Sequence, residues 1–318
     1  MSIIGQLLRA GIQSDGANVT IPRGKLIAQN LLPPKGNVWY VDSTVTSSGS
    51  GVSWARAFKT ITEGEAAAAA GDIILVSGSF TEAVTLNLAG VKLLGVGPTT
   101  NRALWTAAAD AKCLTISAVD CHVEGFRFRP PAYTSGVPAA ISLSGAYQTQ
   151  IIGCRFNGKA GSYVGILSDG NNANVLIEGC EFYYLNNVTT VSGTAILGTG
   201  YTVGENSGWI VRNNFFHSNI NHINCRMRQG FIVGNFFGAG GLAADNSNSA
   251  TLTVLGLDIH GAVGGNNVVT QNFLGSLYHQ ACYYGGTNDA WAGNFVVDRT
   301  HATQVDATTG ISILAPAA

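Results

Sequence analysis

The amino-acid sequence predicts an all-β chain wound as a parallel β-helix, on three observations. The first is composition: 41 Gly and 25 Asn stand beside 8 Pro and 2 Met, which suits tight turns and extended strands better than long helices. The second is a motif, (Val/Ile/Trp)-x-x-(Asn/Cys)-x-(Phe/Leu/Val), read seven times: Val123 to Phe128 (with Phe126 in the Asn/Cys slot), Ile151 to Phe156, Ile177 to Phe182, Val211 to Phe216, Ile232 to Phe237, Val269 to Leu274 and Trp291 to Val296. Its final positions lie 28, 26, 34, 21, 37 and 22 residues apart, too uneven for rigid-length repeats but suited to a coil that keeps its strands and varies its loops. The third is an interleaved strand type, often bounded by Gly: Ala140 to Leu143, Gly165 to Leu167, Ala195 to Leu197, His222 to Asn224, Leu257 to Ile259 and Gly310 to Ile313.

Taken along the chain, residues 1–36 read as an arm. A short apolar helix interrupted by Arg9 leads to the turn-like Gln13-Ser14-Asp15-Gly16, then to an extended stretch stopped by Pro33-Pro34. The body, residues 37–318, opens with Val38 to Asp42. One helix is expected, at about 62–70, where five consecutive alanines give high helix propensity ahead of Gly71-Asp72. Ile73 to Val76 follows as a β-branched strand.

Stacked coils explain the motif, because each coil needs apolar side chains facing those above and below. Where one strand bends into the next, a left-handed residue is required, and Asn tolerates that conformation. Asn214, Asn235, Asn272 and Asn294 are expected to form a hydrogen-bonded ladder at this bend, with Cys154 and Cys180 in the same slot of earlier coils as buried thiols rather than a disulfide.

The stretch Trp39-Tyr40-Val41-Asp42, Ser53 to Phe58, the Ala-rich helix, Gly71 to Val76 and Phe80-Thr81-Glu82 resembles the opening of the pectate-lyase-like right-handed parallel β-helix superfamily. The resemblance covers roughly residues 38–315 and implies that the helix caps the first coil. It is specific for fold, since the superfamily includes polysaccharide lyases and hydrolases, phage tailspikes and non-enzymatic virion surface proteins.

Charge and motif narrow the chemistry. Seventeen Lys+Arg against 18 Asp+Glu give a net charge of −1, so neither nucleic acid nor an anionic membrane is an expected partner. No apolar run reaches the length of a membrane span, and the start does not read as a secretion signal. The six His show no ligand spacing, so neither a metal nor another cofactor is expected. Polysaccharide cleavage on this fold needs converging carboxylates or a carboxylate-held calcium. Glu178 and Glu181, read as sharing one strand, with Asp258 and His260, are weak candidates for such a set, and no convincing catalytic group is read.

An exterior column is more informative. By strand alternation the residues Arg127, Arg155, Glu181, Phe215, Phe236, Phe273 and Phe295 point outward. Four phenylalanines in register form an apolar strip, to be buried under a loop, used as a subunit interface or offered as a sugar platform.

Together with the absence of a separate receptor domain after Ile313, these readings favour a phage head decoration (cement) protein, made in the host cytoplasm without a signal peptide and carried on the virion surface. It is expected to be a homotrimer joined through Phe215, Phe236, Phe273 and Phe295, attached to the major capsid protein or another virion protein through Ile3, Leu7, Leu8, Leu26 and Ile27 of the arm. The alternative is a short tailspike or tail-fibre component that binds or cleaves host surface glycan. A polysaccharide lyase or hydrolase stands third.

Overall fold

In the computed structural model, the described residues are 13–14, 19–20, 36–97, 102–130, 135–158, 164–185, 193–198, 206–238, 257–259, 265–274, 283–284 and 288–296. Successive coils of the body lay their strands in three all-parallel sheets, giving a right-handed parallel β-helix. Among the described residues the first sheet holds ten strands, from Val38–Asp42 to Ala290–Ala292. The second holds nine, from Ser79–Thr81 to Phe295–Val296, and the third eight, from Val84–Leu86 to Tyr283–Tyr284. In the arm, Gln13–Ser14 pairs antiparallel with Val19–Thr20. The anchors Ile3, Leu7, Leu8, Leu26 and Ile27 and the strand expected at 310–313 lie outside the described residues.

The register places the motif's first apolar position in one interior column, Val123, Ile151, Ile177, Val211, Ile232, Val269 and Trp291. Trp39, Ile74 and Leu93 extend this column by three earlier coils that carry no copy of the motif. The motif's last position forms an aromatic pile inside the second sheet, where Phe128, Phe156, Phe182, Phe216 and Phe237 stack with centroids 4.5 to 5.3 Å apart. Ile141, Ile166, Ile196 and Ile223 line the third sheet, with the backbone of Leu257 next in register. Side chains stacked on like side chains exclude water and give the core crystal-like packing.

The helix runs over Ile61–Ala67, shorter than expected. Its start is fixed by a capping box: Thr60 Oγ1 accepts from Glu63 N, and the Glu63 carboxylate accepts from Thr60 N. It ends inside the alanine run because Asp72 takes the backbone N–H of Ala69 at 2.9 Å. The same buried carboxylate accepts from Asn37 N (2.7 Å) and Trp39 Nε1 (2.8 Å), tying the helix exit to the first strand. Gly64 lets the helix lie against that first coil, since a Cβ there would stand 2.6 Å from Val41 Cγ2.

The corner between the first and second sheets differs from the expectation. The ladder asparagines do not take the left-handed conformation; the residue before each does, Asn213 (φ 55°), Gly234 (65°), Gln271 (56°) and Gly293 (64°). The asparagines are positioned instead to hydrogen-bond along the axis. Asn235 Nδ2 donates to Val211 O (2.8 Å) and to Asn272 Oδ1 (3.0 Å), while its Oδ1 accepts from the backbone and side chain of Asn214, both at 3.0 Å. Asn272 repeats the pattern with Ile232 O and Asn294. One coil earlier Cys180 N donates to Asn214 Oδ1 at 2.8 Å, and Cys154 and Cys180 are free, buried thiols. A second ladder, not read from the sequence, enters the first sheet: Asn267 accepts from Gly230 N and donates to Met227 O and Asp289 Oδ1.

A candidate ligand-binding face on the second sheet

Strand alternation buries the phenylalanine pile and turns the neighbouring positions outward. The register of those positions runs Ser79, Leu104, Arg127, Arg155, Glu181, Phe215, Phe236, Phe273 and Phe295. Two residues further along each strand, Asn157, Tyr183 and His217 form a second outward column. The face therefore has a polar half and an apolar half.

In the polar half Arg155 Nε lies 2.5 Å from Glu181 Oε2, and His217 Nε2 lies 3.6 Å from Glu181 Oε1. The Asn157 amide, assigned from its hydrogen bonds, donates to Gly158 O (2.9 Å) and accepts from Tyr183 Oη (2.7 Å) and Arg127 Nη2 (3.2 Å). The Tyr183 and His217 rings stack at 5.2 Å and 5°. Tyr184, 45% exposed, stands edge-on to both. Burial pushes the Tyr183 phenol up, against the lowering influence of Arg155, Arg127 and Arg129. Burial also holds His217 below the usual histidine range and outweighs the opposing pull of Glu181, so the imidazole is neutral at neutral pH.

In the apolar half Phe215, Phe236 and Phe273 stack in turn, each pair with centroids 4.5 Å apart and planes within 8°. Ring faces meet ring faces along the axis, so edges rather than faces point outward. Phe215 is 42% exposed, Phe236 and Phe273 are half-buried, and the side chain of Phe295 lies outside the described residues.

Of the acidic candidates, Glu178 and Glu181 stand on different sheets. Glu178 and Glu181 were expected on one strand, but the Gly179-Cys180 corner falls between them, placing Glu178 on the first sheet and Glu181 on the second. Glu178 is paired with Arg212 Nη2 at 2.8 Å. Asp258 lies on the third sheet, its backbone in register with Asn224, and its side chain, like His260, lies outside the described residues. Glu178 and Glu181 thus stand on different sheets, each ion-paired to an arginine, rather than as two free carboxylates turned toward one glycosidic bond. Among the described residues no three His, Cys, Asp or Glu side chains cluster as a metal site, and no helix is long and apolar enough to cross a membrane. The sequence reading singled out the arginines and Glu181 of the outward column but missed Arg129, Asn157, Tyr183, Tyr184 and His217, whose meeting depends on the register of several coils.

No protein-family model and no curated protein matches the chain. Among solved structures, a rhamnogalacturonan lyase aligns over 80% of this chain and 73% of its own, with a TM-score of 0.62 and 15% identity. The alginate lyase from Paenibacillus sp. str. FPU-7 aligns over 82% and 95%, with a TM-score of 0.58 and 13% identity. These likenesses show the right-handed parallel β-helix fold; at such identities they carry nothing about chemistry.

Proposed function

We propose that the protein is a structural component of a tailed-phage virion, a β-helix that assembles as a homotrimer on the head and is anchored there by residues 1–36. The observation that supports this reading best is the exterior phenylalanine stack. A sugar platform offers ring faces, whereas Phe215, Phe236 and Phe273 use their faces on one another and leave a ridge of edges. An exposed ridge of this kind suits burial against an apolar surface of a second copy. The ion-paired state of Glu178 and Glu181 also favours structure over catalysis at those residues.

Two measurements test the reading. The wild-type chain is expected to scatter light as a trimer at micromolar concentration, and the double substitution Phe236→Ser with Phe273→Ser to give soluble monomer. A wild-type mass of one chain would remove the Phe-mediated trimer. A truncated chain starting at Asn37 is expected to keep its β-rich circular dichroism and to lose binding to phage heads that lack the protein; retained binding would remove the anchoring role. The second reading, a tailspike or tail-fibre component that engages host glycan, is favoured by the polar half of the same face. Binding of the full chain to tails and not to heads would select it.

A further inference from the structure

The phenylalanine ridge has a counterpart on the first sheet. The outward column that runs through Lys92, His122 and Gln150 continues in register as Leu176, Ile210, Phe231 and Val268. Phe231 is 49% exposed, and Leu176, Ile210 and Val268 are half-buried. The change from polar to apolar comes at Leu176 on this sheet and one coil later, at Phe215, on the second. The two apolar strips therefore run over the same coils. Only a two-residue corner separates the strands that carry them, as between Val233 and Phe236. A two-fold contact through the ridge would use one face twice and leave the other strip in water.

We propose that these two faces are the two halves of one head-to-tail interface: the corner points at the three-fold axis, and the first sheet of each copy packs on the second sheet of the next, all copies running in the same direction. This rests on the homotrimer reading and deepens it by naming the surface that the ridge meets. A closed cyclic assembly of three joins unlike faces of neighbouring copies. Rotation about an axis parallel to the β-helix keeps every coil at its own height and every residue at its own distance from the axis. Each coil therefore meets the same coil of its neighbour, and positions pair by their distance from the corner. Val233 and Phe231 then meet Phe236, whose ring leans over Gly238, where a Cβ would stand 2.8 Å from Phe236 Cε1. The polar coils match by charge. Glu124, its side chain 45% exposed and paired with His122, comes opposite Arg127 and Arg129. Glu178 and Glu181 come to one height, but each keeps an arginine, Arg212 and Arg155, so neither is buried unpaired.

Phe231→Ser leaves the phenylalanine ridge intact and is the first test. Light scattering of the full chain at micromolar concentration is expected to read three chains for the wild type and one for Phe231→Ser, with an unchanged circular dichroism spectrum. The second test does not depend on the folding of that variant and leaves both apolar strips intact. Chains carrying only Ile152→Cys are co-expressed with chains carrying only Arg155→Cys, the two told apart by an affinity tag, and the purified assembly is oxidised with diamide; the described native cysteines are buried. Ile152 and Arg155 flank the corner of one coil, on the first and second sheets. Disulfides between position 152 of one chain and position 155 of another are expected to predominate. A trimeric wild type with a trimeric Phe231→Ser, or with no disulfide between positions 152 and 155, overturns the pairing of faces and leaves the homotrimer standing. A wild-type mass of one or two chains overturns both.

Discussion

Asn235→Leu is expected to destabilise the β-helix by about 3–5 kcal/mol, among the largest effects of any single substitution outside the aromatic core. Its amide satisfies three buried groups at once: the carbonyl of Val211, the backbone N–H of Asn214, and the Asn214 side chain. Leucine has the same branched shape but is larger and makes no hydrogen bond, so Val211 O and Asn214 N lose this amide and the Asn214 side chain keeps only its bonds to Ile177 O and Cys180 N, at roughly 1–3 kcal/mol per buried polar group left unpaired. Asn272→Leu breaks the corresponding bonds to Ile232 O and Asn235 and is expected to cost about as much. Asn213→Gly is the informative contrast. Asn213 is exposed and holds the left-handed position (φ 55°), where glycine sits without steric cost, so a change of no more than about 1 kcal/mol in either direction is expected. Urea midpoints of the three variants decide the matter. A loss for Asn213→Gly equal to that of Asn235→Leu would mean that backbone conformation, and not the amide ladder, holds this corner.

That contrast also shows what a one-dimensional reading could extract. Two requirements meet at the corner, a left-handed residue and an axial hydrogen bond, and they fall on adjacent positions. Glycine precedes the Asn/Cys slot, or Phe126 in its place, in five of the seven motif copies, Gly125, Gly153, Gly179, Gly234 and Gly293, so the backbone signal was present one residue earlier than it was assigned. The interior columns were legible because one apolar position per coil cannot vary. In the first three coils Val38 to Asp42 and Ile73 to Val76 were legible as strands but their place in the column was not, because Trp39, Ile74 and Leu93 fill it without the rest of the motif. The outward column was legible by alternation alone. Its use was not: Asn157, Tyr183 and Arg127 belong to three coils, and only the register, set by loops of unequal length, brings them together. Glu178 and Glu181 were misjoined for a related reason, since a two-residue corner leaves too little sequence to separate two strands.

Acidification from about pH 7 to about pH 4 is expected to remove about 3 kcal/mol of stability through one residue, His222. The ring is fully buried between Phe216 and Phe237, with centroids 5.8 and 5.9 Å away. Asn219 Nδ2, which also donates to Phe182 O, meets Nδ1 at 3.2 Å, and Nε2 donates to Gly238 O at 3.2 Å. Nδ1 must therefore accept, and protonating it would set two donors against each other. Burial, the largest cause, brings the pKa down from 6.5 to about 4. Because the folded value lies below the unfolded one, the unfolded chain binds the extra proton first, so the stabilisation is complete above about pH 6.5 and is lost as pH falls toward 4. His217, held low less strongly, acts with the same sign. Asp72, held below the usual carboxylate range by hydrogen bonds that outweigh its burial, also has the same sign, but its contribution is lost only at and below about pH 4. The two windows separate. His222→Gln keeps a donor and an acceptor without a titrating ring, and its urea midpoint is expected to change little between about pH 7 and pH 5 while that of the wild type falls. An equal fall in both proteins would assign the acid sensitivity to other groups.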